Sequence, residues 1–234
     1  MSSPRGHLGT RQTQRRVAGL AARAVALACV AAVALPAPPA AAAPAQEISL
    51  ALGLPSAELG WLARASERLS YGARISWDQL SREESLSVGA VGIAAPARLE
   101  LASGRLTFSL EAAPGARHFA GHYRGADCGC ILDTRTAWAI QLPLTASLRA
   151  ALSEGAGVAV FSTLAPDLLL SGGLLLSPQA GLAVDAAPTE AFSLGPLARA
   201  GRVLALGDAA PAVLGGRRAV TLPLALLLTA TLRL

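Results

Sequence analysis

From Gln46 onward the chain alternates apolar and polar side chains with a period of two, and this pattern limits it to extended structure. Leu69, Tyr71, Ala73, Ile75 and Trp77 form one series, opposed by Ser70, Gly72, Arg74, Ser76 and Asp78. Trp138, Ile140, Leu142, Leu144, Ala146 and Leu148 form another, opposed by Gln141, Thr145, Ser147 and Arg149. The final segment carries the alternation furthest. Val220, Leu222, Leu224, Leu226, Leu228, Ala230, Leu232 and Leu234 read as a single face, against Thr221, Thr229, Thr231 and Arg233. A helix would scatter these residues around its cylinder, whereas a strand separates them cleanly.

The pattern predicts strands at 47–54, 58–65, 69–78, 86–102, 105–113, 136–150, 157–165, 172–185, 191–206 and 217–234. Ser66-Glu67-Arg68, Ser103-Gly104 and Ser153-Glu154-Gly155 have the chemistry of tight turns. Residues 79–85, 114–135 and 207–216 read as longer loops. Short turns at one end and long loops at the other are the layout of a membrane-spanning barrel, with the short turns periplasmic. Leu168 to Leu176 is apolar on both faces apart from Ser171-Gly172-Gly173, so the segment reads either as one long strand or as a hairpin. The expectation is an all-β, antiparallel, up-and-down transmembrane β-barrel of about 8–10 strands over residues 46–234.

Strand length supports the membrane. Soluble strands average about five or six residues, and a tilted bilayer crossing takes roughly 9–11. The segments 69–78, 136–150 and 217–234 reach that length with an apolar face throughout. Their opposed faces carry Ser, Thr, Gly and Ala with occasional charges, which suits a narrow interior. Arg74, Arg98, Glu100, Arg105, Glu111 and Arg149 all fall on the predicted inside, where they must pair or meet water. Trp77 and Trp138 fall at the extracellular ends of their strands and Tyr71 and Phe192 at periplasmic ends, as interfacial aromatics do.

Residues 1–45 read differently. Arg5, Arg11, Arg15, Arg16 and Arg23 form a basic lead, Ala24 to Leu35 an apolar run, and Ala43-Pro44-Ala45 a small-residue cleavage pattern. The run would rise about 18 Å as a helix, against a hydrocarbon core of roughly 30 Å, so a cleaved signal peptide fits better than an anchor. Five of the 20 basic residues lie in this segment and all 15 acidic ones lie beyond it, so the remaining 15 arginines and 15 carboxylates cancel. A neutral mature chain offers nucleic acid no electrostatic footprint.

These features together resemble the small outer-membrane β-barrel proteins of Gram-negative bacteria. The resemblance covers residues 47–234 as pattern and is strongest from Glu58-Leu59-Gly60-Trp61-Leu62 through Ser76-Trp77 and in Val220–Leu234. It implies the cell outer membrane as location, with outer-membrane lipid and the barrel assembly machinery as partners. Members of that group typically end in an aromatic residue, where this chain has Leu234.

One cluster carries coordination chemistry: His118, His122, Cys128 and Cys130, all within the expected loop 114–135. Imidazole and thiolate suit zinc or copper. An exported, oxidising compartment favours a Cys128–Cys130 disulfide instead, which is the preferred expectation here. No nucleophile elbow or phosphate loop occurs in the sequence, so neither a catalytic residue nor a cofactor is expected. The functional expectation is a barrel with a structural or surface-display role. Its alternative is a soluble exported β-sandwich, periplasmic or secreted, that binds a partner or ligand through 114–135.

Overall fold

The computed structural model describes residues 46–82, 86–102, 104–124, 131–208 and 210–234. Thirteen strands follow in chain order: β1 (Gln46–Leu54), β2 (Ser56–Arg64), β3 (Leu69–Arg82), β4 (Leu86–Ala94), β5 (Ala97–Ala102), β6 (Leu106–Ala112), β7 (Gly115–Arg124), β8 (Ile131–Gln141), β9 (Leu144–Ser153), β10 (Ala156–Leu169), β11 (Leu174–Thr189), β12 (Phe192–Leu206) and β13 (Ala219–Arg233). A short helix, α1 (Ala210–Val213), lies between the last two. Every pairing is antiparallel, and β1 pairs with β13, so first and last strands meet. Closure leaves no sheet edge, which is what a strand protein needs where no water can satisfy an edge.

The thirteen segments make ten staves. β4 and β5 are two halves of one stave, as are β6 and β7, and β8 and β9. Each stave breaks at a proline: Ala95-Pro96, Ala113-Pro114 and Leu142-Pro143. Proline has no N–H to give the ladder. Each preceding residue donates to the proline carbonyl of the next stave instead: Ala95 N–H to Pro114 at 2.8 Å, Ala113 to Pro143 at 2.9 Å, and Leu142 to Pro166 at 3.0 Å. The breaks therefore run in one row across neighbouring staves, and the backbone there stays satisfied.

Ten staves agree with the expected count, and the hairpin reading of 168–176 is the one that forms: β10 and β11 meet through Gly172 and Gly173, both at positive φ (96° and 90°). Other expectations need correction. Residues 114–135 are mostly not a loop, because Gly115–Arg124 and Ile131–Gln141 pair as wall from Gly115↔Gln141 to Arg124↔Ile131. The stretch looked polar because its outward row includes two histidines and its inward row Arg117, and a barrel tolerates polar groups on both. The loop-borne ligand site of the sandwich alternative is lost with that loop. β3 likewise runs on through Arg82, beyond the expected end at residue 78.

The last strand does not keep one face. Arg199 pairs with Ala225 but Gly201 with Leu222, a bulge of one extra residue beside Pro223. The slip turns Val220 and Leu222 inward while Leu224, Leu226 and Leu228 stay outward at 56–61% exposure. Arg105 keeps the inward parity that the alternation gave it, opposite Ala151, but sits exposed at the turn between β5 and β6.

Candidate functional site

The outer face is a belt of apolar side chains. Ile75, Val91, Ile140, Leu144, Leu164 and Leu226 all point away from the lumen with 44–61% of their surface exposed. In water so large a continuous apolar surface would aggregate; in a bilayer it is the contact surface. Trp77, Val91, His118 and Trp138 share one cross-strand row of this belt near the loop end. Trp61 marks the other end with Tyr71, its Nε1–H donating to Gln46 Oε1 at 3.3 Å. Phe108 also lies there, opposite Leu148. The ten residue-to-residue steps from Trp138 to Leu148, at ~3.4 Å each and tilted by ~40°, span roughly 26 Å, the height of a lipid-facing band.

The lumen has two zones. At the loop end it is apolar: Leu80, Val88, Phe119, Leu175 and Val203 are all at most 2% exposed and pack around α1 and Leu214, which fold in from the segment after β12. This segment was expected to be a free loop, yet Ala210, Val213 and Leu214 fill the barrel mouth. A sequence signal did exist. Leu168 and Leu170 face outward while Leu169 and Leu175 face inward, so the stretch that is apolar on both faces marks where the interior also excludes water.

Below this plug the interior is charged, and its charges are paired across the lumen. Asp78 on β3 accepts a hydrogen bond from Arg117 Nη2 on β7 at 2.6 Å, and another from Arg199 on β12. Arg117 Nη1 also reaches Asp167 on β10 at 3.4 Å. The Arg117 guanidinium lies 5.4 Å from the Phe119 ring centroid, at the boundary with the apolar plug. Asp167 is fully buried and Arg117 nearly so, and two acids against two bases leave the cluster neutral.

Nearer the short turns, Arg74 Nη2 meets Glu111 Oε1 at 2.7 Å, and its Nε lies 3.1 Å from Glu58 Oε1 without hydrogen-bond alignment. Arg98 takes the other Glu111 oxygen at 3.1 Å. Arg149 forms a two-point pair with Asp185 at 2.6 and 3.2 Å. Arg74, Arg98, Glu111 and Arg149 are thus inside and paired, as their alternation required. Asp78, Arg117, Asp167 and Arg199 were missed as a group because their pairings join strands far apart in sequence. A cavity of about 20 Å³ beside Asp78 and Arg199 leaves room for about one water.

The histidines stand apart from this interior. His118 packs its ring 4.7 Å from that of Trp138 on the outer face, and His122 Nδ1 lies 3.2 Å from Thr134 Oγ1. Four residues separate them along one strand, roughly 13 Å, and each ring is engaged by a different neighbour on β8. Cys128 and Cys130 lie outside the described residues. Among the described residues no cluster of three or more His, Cys, Asp or Glu could hold a metal.

No protein-family model matches the chain, and no curated protein does. Among solved structures it is similar to the translocator domain of the autotransporter NalP from Neisseria meningitidis, at 12% identity and TM-score 0.36, covering 95% of this chain and 98% of that one. It is also similar to a major outer membrane protein from Thermus thermophilus, at 13% identity and TM-score 0.42, covering 82% of this chain and 100% of that one. The β domain of the Bordetella autotransporter BrkA follows, at 12% identity and TM-score 0.40, covering 81% and 98%. At these scores the likeness carries no argument about activity; the closed sheet and its lipid-facing belt stand on their own geometry.

Proposed function

We propose that this chain is a closed structural barrel of the outer membrane, a wall element that displays its loops, and neither a channel nor an enzyme. The observation that carries this reading is the filled lumen. An apolar plug at the loop end and cross-lumen ion pairs below it occupy the path a solute would take. The interior carboxylates and guanidiniums are also bound to one another, which favours rigidity over proton transfer to a substrate. Residues 1–45 would direct export, and the barrel assembly machinery would close the β1–β13 seam.

Conductance tests this directly. Purified, detergent-folded protein added to a planar lipid bilayer should insert without stepwise current, and a stable open channel would overturn the reading. In cell fractions the protein should resist carbonate extraction and shift its gel mobility on boiling. Lipid-hydrolysing or acyl-transferring activity in the same preparation would overturn the non-enzymatic half.

A further inference from the structure

The staves do not all end at one height on the loop side. β10 stops at Leu169 and turns through Gly172 and Gly173 into β11, and its ladder with β8 covers only Ala139, Ile140 and Gln141. One more bond, from Leu170 N–H to the Trp138 carbonyl at 2.8 Å, closes the wall there. β8 begins further out, at Ile131, and pairs with β7 from Arg124↔Ile131 through Phe119↔Ala137. Residues 131–137 therefore have a neighbour on one side only among the described strands. At ~3.4 Å a residue and ~40° of tilt, they carry this edge about 18 Å beyond the interfacial Trp138 and out of the lipid. The open edge is long enough for a full strand, which averages about five or six residues.

Trp138 fixes which backbone groups the edge offers. Its carbonyl points to β10, away from β7, and alternate residues of an antiparallel strand turn N–H and C=O to the same side. Thr134 and Thr136 therefore present theirs to the open side. Side-chain contacts agree: Trp138 meets His118, and Thr134 meets His122, at the close spacing of pairs that share no backbone bond. Asp133 and Arg135 alternate with the threonines on the opposite face, 3.0 Å apart and about half exposed. An open edge in water is a template for another extended chain, and charges on it turn away apolar strands. A strand carrying the opposite charges gains instead, because Asp133 and Arg135 would face it at the closer of the two spacings, about 4.5 Å between Cα atoms.

We propose that the open edge of β8 docks an extended segment of a separate polypeptide as an added antiparallel strand, with an acidic residue opposite Arg135 and a basic residue opposite Asp133. In antiparallel order the acid comes first, so the segment reads Asp/Glu-x-Arg/Lys. Asp133-Thr134-Arg135 is itself such a sequence. Two copies in one bilayer nevertheless run β8 in the same direction across it and cannot pair this way, so the partner is a different chain on the loop side of the membrane. The proposal rests on the membrane-barrel reading and gives the displayed end a partner of defined chemistry.

The test uses full-length mature protein in lipid nanodiscs and a fluorescent peptide, Ile-Leu-Asp-Thr-Arg-Thr-Ala, whose binding is read by anisotropy. Wild type should bind it about tenfold more tightly than the same peptide with Asp and Arg exchanged, and empty nanodiscs should bind neither. Thr134→Pro removes an N–H from the open side and leaves the β7 ladder whole, so it should weaken binding about tenfold or more. Thr136→Pro serves if that variant does not fold. Asp133→Arg with Arg135→Asp should reverse the preference between the two peptides. No binding, equal binding of both peptides, equal binding to empty nanodiscs, or wild-type affinity in Thr134→Pro overturns the proposal. So does pairing of wild-type nanodiscs without peptide that Thr134→Pro abolishes, which would make the occupant a second copy in a facing membrane. Heat-modifiable migration is read on every sample; its absence from wild type would remove the barrel reading itself, a separate failure.

Discussion

Asp78→Asn isolates the electrostatic cost of the lumen, because the substitution keeps volume and removes charge. Asp78 accepts from Arg117 at 2.6 Å and from Arg199, and only 15% of its side chain is exposed. With the carboxylate gone, two guanidiniums share Asp167 alone, and that carboxylate reaches only Arg117, at 3.4 Å. At an effective dielectric of ~20, a charge contact near 3 Å is worth roughly 5 kcal/mol before desolvation. Breaking a buried pair by removing one partner costs about 3–5 kcal/mol, because the other charge stays buried. Against a stability of about 5–15 kcal/mol that is a large share.

Urea unfolding in phospholipid vesicles, followed by tryptophan fluorescence, would read the change, since Trp77 adjoins Asp78 in β3. Asp133→Asn is the control. Its pair with Arg135 spans 3.0 Å but both side chains are about half exposed, so the loss should be about 0–1 kcal/mol. Asp78→Asn with Arg199→Gln restores neutrality and should recover part of the loss. A loss in Asp78→Asn within about 1 kcal/mol of the control, or a double variant no more stable than the single, would refute the reasoning.

Leu144→Arg should cost about 2–4 kcal/mol, since Leu144 faces lipid, whereas Arg at Thr145 should cost less because Thr145 points inward opposite Glu111; matched vesicle unfolding curves check this, and equal losses would mean the facing is wrong. Leu214→Ala should destabilise by about 2–5 kcal/mol by opening a cavity in the plug, where Leu214 is fully buried; a loss below ~1 kcal/mol would show that the plug is not packed as a core. Cys128 and Cys130 are proposed to be joined, so unreduced, denatured mature protein should show no reactive thiol in a thiol-count assay; free thiols accompanied by stoichiometric zinc or copper would establish a metal site instead.

The alternation over 69–77 and 138–148 was enough to place Leu144 outside and Arg74 inside, because side-chain direction in a strand depends only on parity. Tight turns at Ser66-Glu67-Arg68 and Ser153-Glu154-Gly155 likewise announced themselves through local chemistry. Fold class, the facing of most wall residues and a count of eight to ten staves were therefore local properties of the chain. Three things were not. The bulge beside Pro223 flips Val220 and Leu222 inward because register belongs to a pair of strands, and one sequence alone does not contain its partner's spacing. The plug forms because α1 and Leu214 find inward leucines and valines from strands scattered through the barrel, a coincidence of position that only closure creates. Asp78, Arg117, Asp167 and Arg199 become one neutral cluster for the same reason: four charges spread across 121 residues are brought within hydrogen-bonding reach by the curvature of the closed sheet.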